Sequence, residues 1–236
     1  VYFLGRKLER TTDGIGFSAL QEYYDDIFQM LRIDKGNPTR TTGSADVKLP
    51  GDGVSLLSKE DHAIYRSCVG KILWLAPIRP DISYAVKELS RSLREPTEED
   101  KAKLKHLARY LRGTSDYVLL ITTKCGYSDD VPGIVEVYVD SDWAGCHKTR
   151  KATTGVCVFY NGVLIHHYSR TQATVALSSA EAELYAIGTG TIDGVSLLQF
   201  VRELGLPVQP KCSVFVYTDS SSAKSISCLL YTSDAA

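Results

Sequence analysis

An alternating pattern in the second half of the chain constrains its fold more than any other feature. Val135, Val137 and Val139 alternate with Glu136, Tyr138 and Asp140, the period of two expected of a strand with one buried face. Further along, Asn161-Gly162 separates two apolar runs, and this dipeptide favours a two-residue hairpin because both turn positions need positive φ. The segment therefore predicts consecutive strands, the last two joined by a tight turn.

The residues after the hairpin predict a helix, a strand and a second helix. Ser178 and Glu181 have the spacing of a capping box, and the helix they open is expected to run to Leu204, with a break near 188–190. Val214–Thr218 predicts a final strand, with a helix directly after it. The order β-β-β-α-β-α places this half of the chain in the α/β class.

The first half of the chain is mostly helical in its pattern. Turn-forming residues make 34–57 an expected extended loop, Tyr117–Thr122 an expected strand, and 125–133 the best domain boundary. Apolar periodicity and capping signals predict four helices: Ser18–Leu31, His62–Leu75 behind Ser58-Lys-Glu-Asp61, one that starts at Pro80, and one from Thr97 to a C′ cap at Gly113.

Composition excludes some classes of protein. The apolar runs are all shorter than the roughly 20 residues that a membrane helix needs, so no membrane partner is expected. The six cysteines form no Cys-x-x-Cys pair and no zinc spacing, which favours free thiols in a reducing compartment.

The net charge of −1 means that any contact with nucleic acid depends on local basic faces. Two interpretations of the basic clusters remain open: contacts to phosphates, or a solvated face balanced by acidic neighbours. The candidates for phosphate contact are Lys101, Lys105, Arg109 and Arg112 on one predicted helix, together with Lys148, Arg150 and Lys151 after the first strand of the second half.

Two strands of the second half end in an acid. Val137-Tyr-Val-Asp140 and Val216-Tyr-Thr-Asp219 echo each other, and strands joined by a helical crossover tend to be parallel neighbours. The two aspartates are therefore expected at one edge of the sheet, where Glu183 of the intervening helix can also lie. Three converging carboxylates repel one another unless a cation such as Mg²⁺ neutralises them. Taken singly, each acid is explained as a turn residue or a solvated helix charge, but all three in this order of elements favour the cation site.

Several motifs resemble one known family. Tyr138-Val-Asp-Ser-Asp-Trp-Ala-Gly145, Thr153-Thr-Gly155, Ser169-Arg-Thr-Gln172 and Val175-Ala-Leu-Ser-Ser-Ala-Glu-Ala-Glu-Leu-Tyr-Ala186 resemble the ribonuclease H part of copia-type LTR-retrotransposon Pol polyproteins. By this resemblance Asp140, Glu183 and Asp219 match the first three acids of an Asp-Glu-Asp-Asp site. Glu183 is preferred to Glu181 on the match of Glu-Leu-Tyr-Ala, and Asp142 is the alternative to Asp140.

The first half resembles the region after the polymerase palm of the same family. Tyr2-Phe-Leu-Gly5, Arg79-Pro-Asp-Ile-Ser-Tyr-Ala-Val86 and His106-Leu-Ala-Arg-Tyr-Leu-Arg-Gly-Thr114 carry this resemblance. Tyr23-Tyr-Asp-Asp26 is similar to the polymerase motif Tyr-x-Asp-Asp, but it lies inside a helical pattern and is predicted to be part of a helix. The polymerase acids themselves would belong upstream.

The resemblance implies a division into three parts. Residues 1–124 would be an α+β, mostly helical thumb- or connection-like segment of a reverse transcriptase, and 131–227 a C-terminally truncated ribonuclease H-like mixed sheet with helices. Residues 228–236 are similar to the translation of a sequencing-library adaptor, so we expect them to pack poorly.

The function implied by the resemblance is hydrolysis of the RNA strand of RNA–DNA hybrids with two Mg²⁺ ions, for which Mn²⁺ could substitute. Asp140 would bridge the ions, and Glu183 and Asp219 would each hold one. The implied partners are the hybrid and the rest of the Pol polyprotein, in a cytoplasmic particle or the nucleus. The fourth acid is missing from this chain, so weak activity or none is expected. The alternatives are an inactive hybrid-binding module and an inert fragment of a decayed element.

Overall fold

A computed structural model describes residues 1–33, 36–43, 55–122, 133–146, 149–205 and 214–232. It has a mixed α/β architecture, with two four-stranded sheets and six α-helices among these residues. The chain divides into two compact units, Val1–Ile121 and Thr122–Ala236. Residues 125–132 of the predicted boundary lie outside the described residues.

The first unit opens with strands that the sequence pattern did not predict. These are β1 (Tyr2–Phe3), β2 (Arg6–Arg10) and β3 (Gly14–Ala19), which pair in antiparallel fashion in the order β1-β2-β3 and continue to β4 (Leu119–Thr122). Strand β2 has the sequence Arg-Lys-Leu-Glu-Arg, which carries no alternation of apolar and polar residues. The predicted helix at Ser18 is therefore wrong at its start, because Ser18 still belongs to β3.

Four helices follow, close to the predicted positions. They are α1 (Gln21–Leu31), α2 (Lys59–Leu75), α3 (Ser83–Ser90) and α4 (Glu98–Gly113), with two short 3₁₀ turns, Ala76–Ile78 and Pro80–Ile82, before α3. The Ser58 hydroxyl accepts a hydrogen bond from the amide of Asp61, and Thr97 and Asp100 form a complete capping box. The capping box at Thr97 is confirmed, whereas at Ser58 the structure shows the bond from the Asp61 amide to the hydroxyl.

The expectation that Gly113 caps α4 from outside is wrong. Gly113 is the last helical residue, and Thr114 is the cap, with φ −138°. A Cβ atom at Gly113 would lie 2.8 Å from Cβ of Pro38, so the glycine allows a close approach of that residue.

The core of the first unit lies among its four helices. Arg79 is buried at 2% exposure because Asp81 pairs with its guanidinium and Thr114 accepts two further hydrogen bonds from it. Tyr23-Tyr-Asp-Asp26 lies within α1, as predicted: Tyr24 is fully buried and Asp26 forms an ion pair with Lys71. The motif is therefore part of a helix, in which the two tyrosines contact the core and the two aspartates are exposed.

The second unit contains the predicted order of strands and helices. Its strands are β5 (Val135–Asp142), β6 (Thr153–Tyr160), β7 (Val163–Thr171) and β8 (Val214–Tyr217), arranged in the order β7-β6-β5-β8. The pairs β5–β6 and β6–β7 are antiparallel, and β5–β8 is parallel. Asn161 and Gly162 both have positive φ, 49° and 75°, which confirms the hairpin prediction.

One long helix, α5 (Ser179–Glu203), covers the face of the sheet that carries Val135, Val137 and Val139. The predicted break near 188–190 is wrong, since the helix is continuous. A Cβ atom at Gly190 would lie 2.4 Å from Cγ1 of Val139, and one at Gly194 would lie 2.4 Å from Cγ1 of Val214. These glycines therefore bring the helix close to the sheet.

The helix α6 (Ser221–Thr232) packs against α5. Its backbone continues into the segment predicted to pack poorly, but the side chains of 229–232 and all of 233–236 lie outside the described residues. Within the described part of the chain, α5 is the one helix long and apolar enough to cross a membrane by length and composition. A helix that packs on a sheet can be as long and as apolar as a membrane helix, and α5 packs on β5, β6 and β8.

Candidate metal centre

Three elements bring an acid to one edge of the second sheet. Asp140 lies near the end of β5, Asp219 follows the end of β8, and Glu183 lies in the early turns of α5. The parallel pairing of β5 with β8 aligns the two aspartates, because Val137 is opposite Val216 and Tyr138 opposite Tyr217. One carboxylate oxygen from each of the three residues lies within 4.8 Å of the others.

Glu183 is the buried member of this cluster. Only 8% of it is exposed, and its Oε1 accepts a hydrogen bond of 3.1 Å from the amide of Ser141. Its Oε2 is buried and has no hydrogen-bond partner among the described residues. Burial and the nearby charges of Asp140 and Asp219 raise the pKa of Glu183 to about 7, although the Ser141 amide opposes the shift. The site is therefore unfavourable for three negative charges without a proton or a cation.

The donor set fits a hard divalent cation. All three side chains offer carboxylate oxygens, which Mg²⁺ and Mn²⁺ prefer to nitrogen or sulfur. A cation would also satisfy the buried Oε2 of Glu183, whose isolation otherwise costs free energy. Asp140 and Asp219 are exposed, so the cluster is open to solvent.

The alternatives considered from the sequence lie elsewhere. Oδ2 of Asp142 lies 1.8 Å from the position of a Cβ atom at Gly145, so this carboxylate folds over the turn that follows β5. Glu181 accepts hydrogen bonds from the amide of Leu177 and the hydroxyl of Tyr185, so it caps the start of α5. Neither belongs to the cluster of three carboxylates.

Gln172 is a residue of the site whose role the sequence did not reveal. It is 8% exposed, and its Nε2 donates hydrogen bonds of 2.9 Å to Oγ1 of Thr154 and to the carbonyl of Ala182. The same Nε2 lies 3.4 Å from Oγ of Ser141. The only signal available was its place in the Ser169-Arg-Thr-Gln172 motif, which gives no indication of these partners.

Several of the candidate basic residues have partners within the protein. Lys101 pairs with Asp61 at 2.7 Å, and Arg112 donates to the carbonyls of Ile33 and Gly36. These contacts lie within the first unit, and neither interpretation of this cluster is decided by them. Lys105 is half-buried, whereas Arg109 is exposed.

The second basic cluster follows β5. Lys151 donates to the carbonyl of Ala173 at 2.6 Å, and Arg150 is exposed with φ 55°. Lys148 lies outside the described residues. Contact of any of these residues with nucleic acid stays a prediction.

Comparison with known proteins identifies relatives across most of the chain. An uncharacterized mitochondrial protein of Arabidopsis thaliana, AtMg00810, is 34% identical over 186 residues, which are 79% of this chain and 73% of that protein. The retrovirus-related Pol polyproteins from transposon TNT 1-94 of Nicotiana tabacum and from transposon RE1 of Arabidopsis thaliana are 32% and 31% identical over 95% and 87% of this chain.

The chain spans only a small part of these polyproteins, 17% of the TNT 1-94 protein and 13% of the RE1 protein. No protein-family model matches the sequence, and no solved structure matches it. The matched regions of AtMg00810 and of the transposon proteins cover most of this chain, and this agrees with the family motifs found in both of its halves. The chain belongs to the Pol polyproteins of copia-type retrotransposons, of which it is a fragment.

Proposed function

We propose that the second unit is a ribonuclease H-like domain that hydrolyses the RNA strand of RNA–DNA hybrids for a retrotransposon. The observation that carries the proposal is the cluster of Asp140, Glu183 and Asp219, held within 4.8 Å at the end of two parallel strands. Membership of the Pol family supports it, because copying an RNA element into DNA leaves such hybrids to be removed. The first unit would then be the thumb- or connection-like segment of the reverse transcriptase.

The three carboxylates would hold the divalent ions. When bound, two Mg²⁺ or Mn²⁺ ions would activate water and stabilise the leaving 3′ oxygen of an in-line displacement. The residues of the chain fix the ligands: the Ser141 amide orients Oε1 of Glu183, and the register of β5 with β8 places Asp140 beside Asp219. Without cations, the same charges would repel the phosphates of the substrate.

Recognition of the hybrid would depend on the open side of this edge. The exposed side chains of Asp140 and Asp219 leave room for a backbone phosphate to approach, and Arg150 is an exposed cation in the segment that follows β5. Contacts to the 2′-OH would distinguish the RNA strand from the DNA strand. The partners are therefore the hybrid and the remainder of the Pol polyprotein, in the cytoplasmic particle or the nucleus where elements of this family replicate.

The test combines metal binding with cleavage. The chain is titrated with Mn²⁺ in a calorimeter and then incubated, at high protein concentration, with a hybrid labelled on its RNA strand. We expect Mn²⁺ to bind and the RNA strand to be cut at a low rate. Asp140→Asn should lose both properties, and the matched variant Asp142→Asn should keep them, since Asp142 lies outside the cluster.

Each result separates the candidate functions. Cleavage that persists in Asp140→Asn would remove this residue from the mechanism. Hybrid binding without any cleavage, even in Mn²⁺, would favour the non-catalytic module. Failure to bind both metal and hybrid would contradict the proposal and favour an inert fragment.

A further inference from the structure

A buried glutamine beside the three acids has no role in the function proposed above. Gln172 directly follows β7 and is anchored by its backbone, because its amide donates to the carbonyl of Ala152 at 2.9 Å. Its side chain then spans from β6 to α5, with Thr154 as one acceptor and the carbonyl of Ala182 as the other. One amide group thus joins three elements of the second unit.

The orientation of this amide is fixed by its partners. The carbonyl of Ala182 can only accept a hydrogen bond, so the atom that faces it must be the Nε2 donor. This leaves Oε1 buried and without a partner among the described residues. A buried acceptor without a partner destabilises a protein. A side chain that served stability alone would not leave a buried acceptor unpaired. We therefore attribute the presence of Gln172 to the groups that its Nε2 binds.

The two elements that Nε2 joins lie next to the site: α5 carries Glu183, and β6 pairs with β5, which carries Asp140. Ala182 directly precedes Glu183, and Thr154 is paired across the strands with Ser141, whose amide donates to Glu183. The Oγ of Ser141 also lies 3.4 Å from Nε2. The glutamine therefore fixes the start of α5 relative to the end of β5, which is the separation that determines where Glu183 stands beside Asp140.

Apolar packing contributes little to holding the start of α5 in place. The buried cluster around the start of α5 consists of Ala152, Ala176 and Ala182, whose side chains are single methyl groups. Larger apolar side chains, such as Val137 and Leu198, pack further along the helix. Polar contacts therefore help to hold the first turn of α5, and Gln172 supplies one of them, to the carbonyl of Ala182.

We infer that Gln172 is a positioning residue for the metal site, which sets the place of Glu183 through Ala182 and through the strand pair Ser141–Thr154. The inference rests on the proposed function. Groups that orient metal ligands typically contribute about 10- to 100-fold to metal affinity. Loss of the Gln172 amide is therefore expected to weaken Mn²⁺ binding by about 10-fold, since it acts on one ligand of three.

The experiment uses the full chain and two variants of different character. Gln172→Met keeps the size of the side chain and removes both hydrogen bonds. Gln172→Asn keeps an amide that is one methylene too short to reach Thr154 and Ala182 together. The matched control is Gln21→Met in the other unit, which removes an exposed glutamine whose side-chain amide donates to Asp25. For each protein, the Mn²⁺ dissociation constant, the melting temperature and the rate of hybrid cleavage at low and high Mn²⁺ are measured.

Both Gln172 variants should bind Mn²⁺ about 10-fold more weakly than the wild type and the control. High Mn²⁺ should restore their cleavage rate but not that of Glu183→Gln. A lower melting temperature with an unchanged dissociation constant would overturn the inference, as would the failure of both variants to fold, because Gln172 would then serve the fold alone. Wild-type protein that binds no Mn²⁺ would instead refute the proposed function, so the two failures are distinguishable.

Discussion

Replacement of the buried glutamate by its neutral isostere should make the metal-free protein more stable. In the folded protein, burial and two neighbouring carboxylates raise the pKa of Glu183 from 4.5 to about 7. This means that the folded state binds the proton more tightly than the unfolded chain, and that ionisation disfavours folding. The difference of pKa corresponds to about 3 kcal/mol, as an order of magnitude.

The pH dependence follows from the direction of the shift. Below the unfolded pKa of 4.5 the carboxyl is neutral in both states and carries no penalty. As the pH rises from 4.5 to about 7, the unfolded chain ionises first and the wild type loses stability; above pH 7 the loss is complete. The advantage of Glu183→Gln should therefore be near zero at pH 4 and approach about 3 kcal/mol at pH 8.

The assay is urea unfolding in EDTA between pH 4 and pH 8.5. The chain has two tryptophans, so Trp74→Phe in all samples leaves Trp143, in the second unit, as the fluorescent probe. Glu181→Gln is the matched control: it lies two residues away, outside the cluster, and its amide oxygen can still accept from Leu177. We expect its stability to follow the wild type across the pH range.

Added metal should reverse the order of stability. A divalent ion at 1,000 times its dissociation constant stabilises the folded state by about 4.1 kcal/mol. This exceeds the penalty of about 3 kcal/mol from ionised Glu183, and only a protein with all three carboxylates should gain the full amount. The reasoning would be refuted if Glu183→Gln were no more stable than the wild type at pH 8 in EDTA, or if Mg²⁺ or Mn²⁺ stabilised both proteins equally.

Three further predictions concern packing, a turn and a thiol. Gly190→Ala should destabilise the second unit by about 1–3 kcal/mol because its Cβ would overlap Val139. Gly188 has open space around it, so Gly188→Ala should stabilise α5 by up to about 1 kcal/mol. Equal urea midpoints for the two variants would contradict the close helix–sheet contact. Asn161→Ala should lower the free energy of unfolding by about 1–2 kcal/mol, since it loses a 2.8 Å hydrogen bond and the tolerance of positive φ; an unchanged melting temperature would count against this. Iodoacetamide at pH 8 should modify exposed Cys228 well before Cys68, because burial raises the pKa of the Cys68 thiol to about 11. Similar rates for the two thiols in peptide mass spectrometry would contradict the burial of Cys68.

Local signals in the sequence predicted much of the second unit. The alternation of Val135, Val137 and Val139 gave the buried face of β5, and Asn161-Gly162 gave the hairpin. Such features depend on residues close together in the chain. The parallel pairing of β5 with β8 was predicted because strands joined by a helical crossover tend to be parallel. This rule applies to the order of elements alone and does not depend on knowing any long-range contact.

Features that depend on distant partners were missed or predicted wrongly. Gly190 was expected to break a helix, because its contact with Val139 is invisible until the helix lies on the sheet. Gln172 has partners on two other elements, and strand β2 lacks alternation and owes its place to β1 and β3. The metal-binding role of Asp140, Glu183 and Asp219 stays a prediction, although the fold brings their carboxylates together.

The short length of β8 has a consequence for the dynamics of the site. This strand has four residues and lies at the edge of the described sheet. Its partner β5 is distant in the sequence: the hydroxyl of Tyr217 donates to Oε1 of Glu136, which lies 81 residues earlier. Short edge strands with distant partners are among the parts of a protein that open most easily. Detachment of β8 would carry Asp219 away while the hairpin of β6 and β7 stays intact. The amides of β8 should therefore exchange with solvent faster than those of β5 and β6, and a bound divalent cation should slow that exchange by tying Asp219 to Asp140.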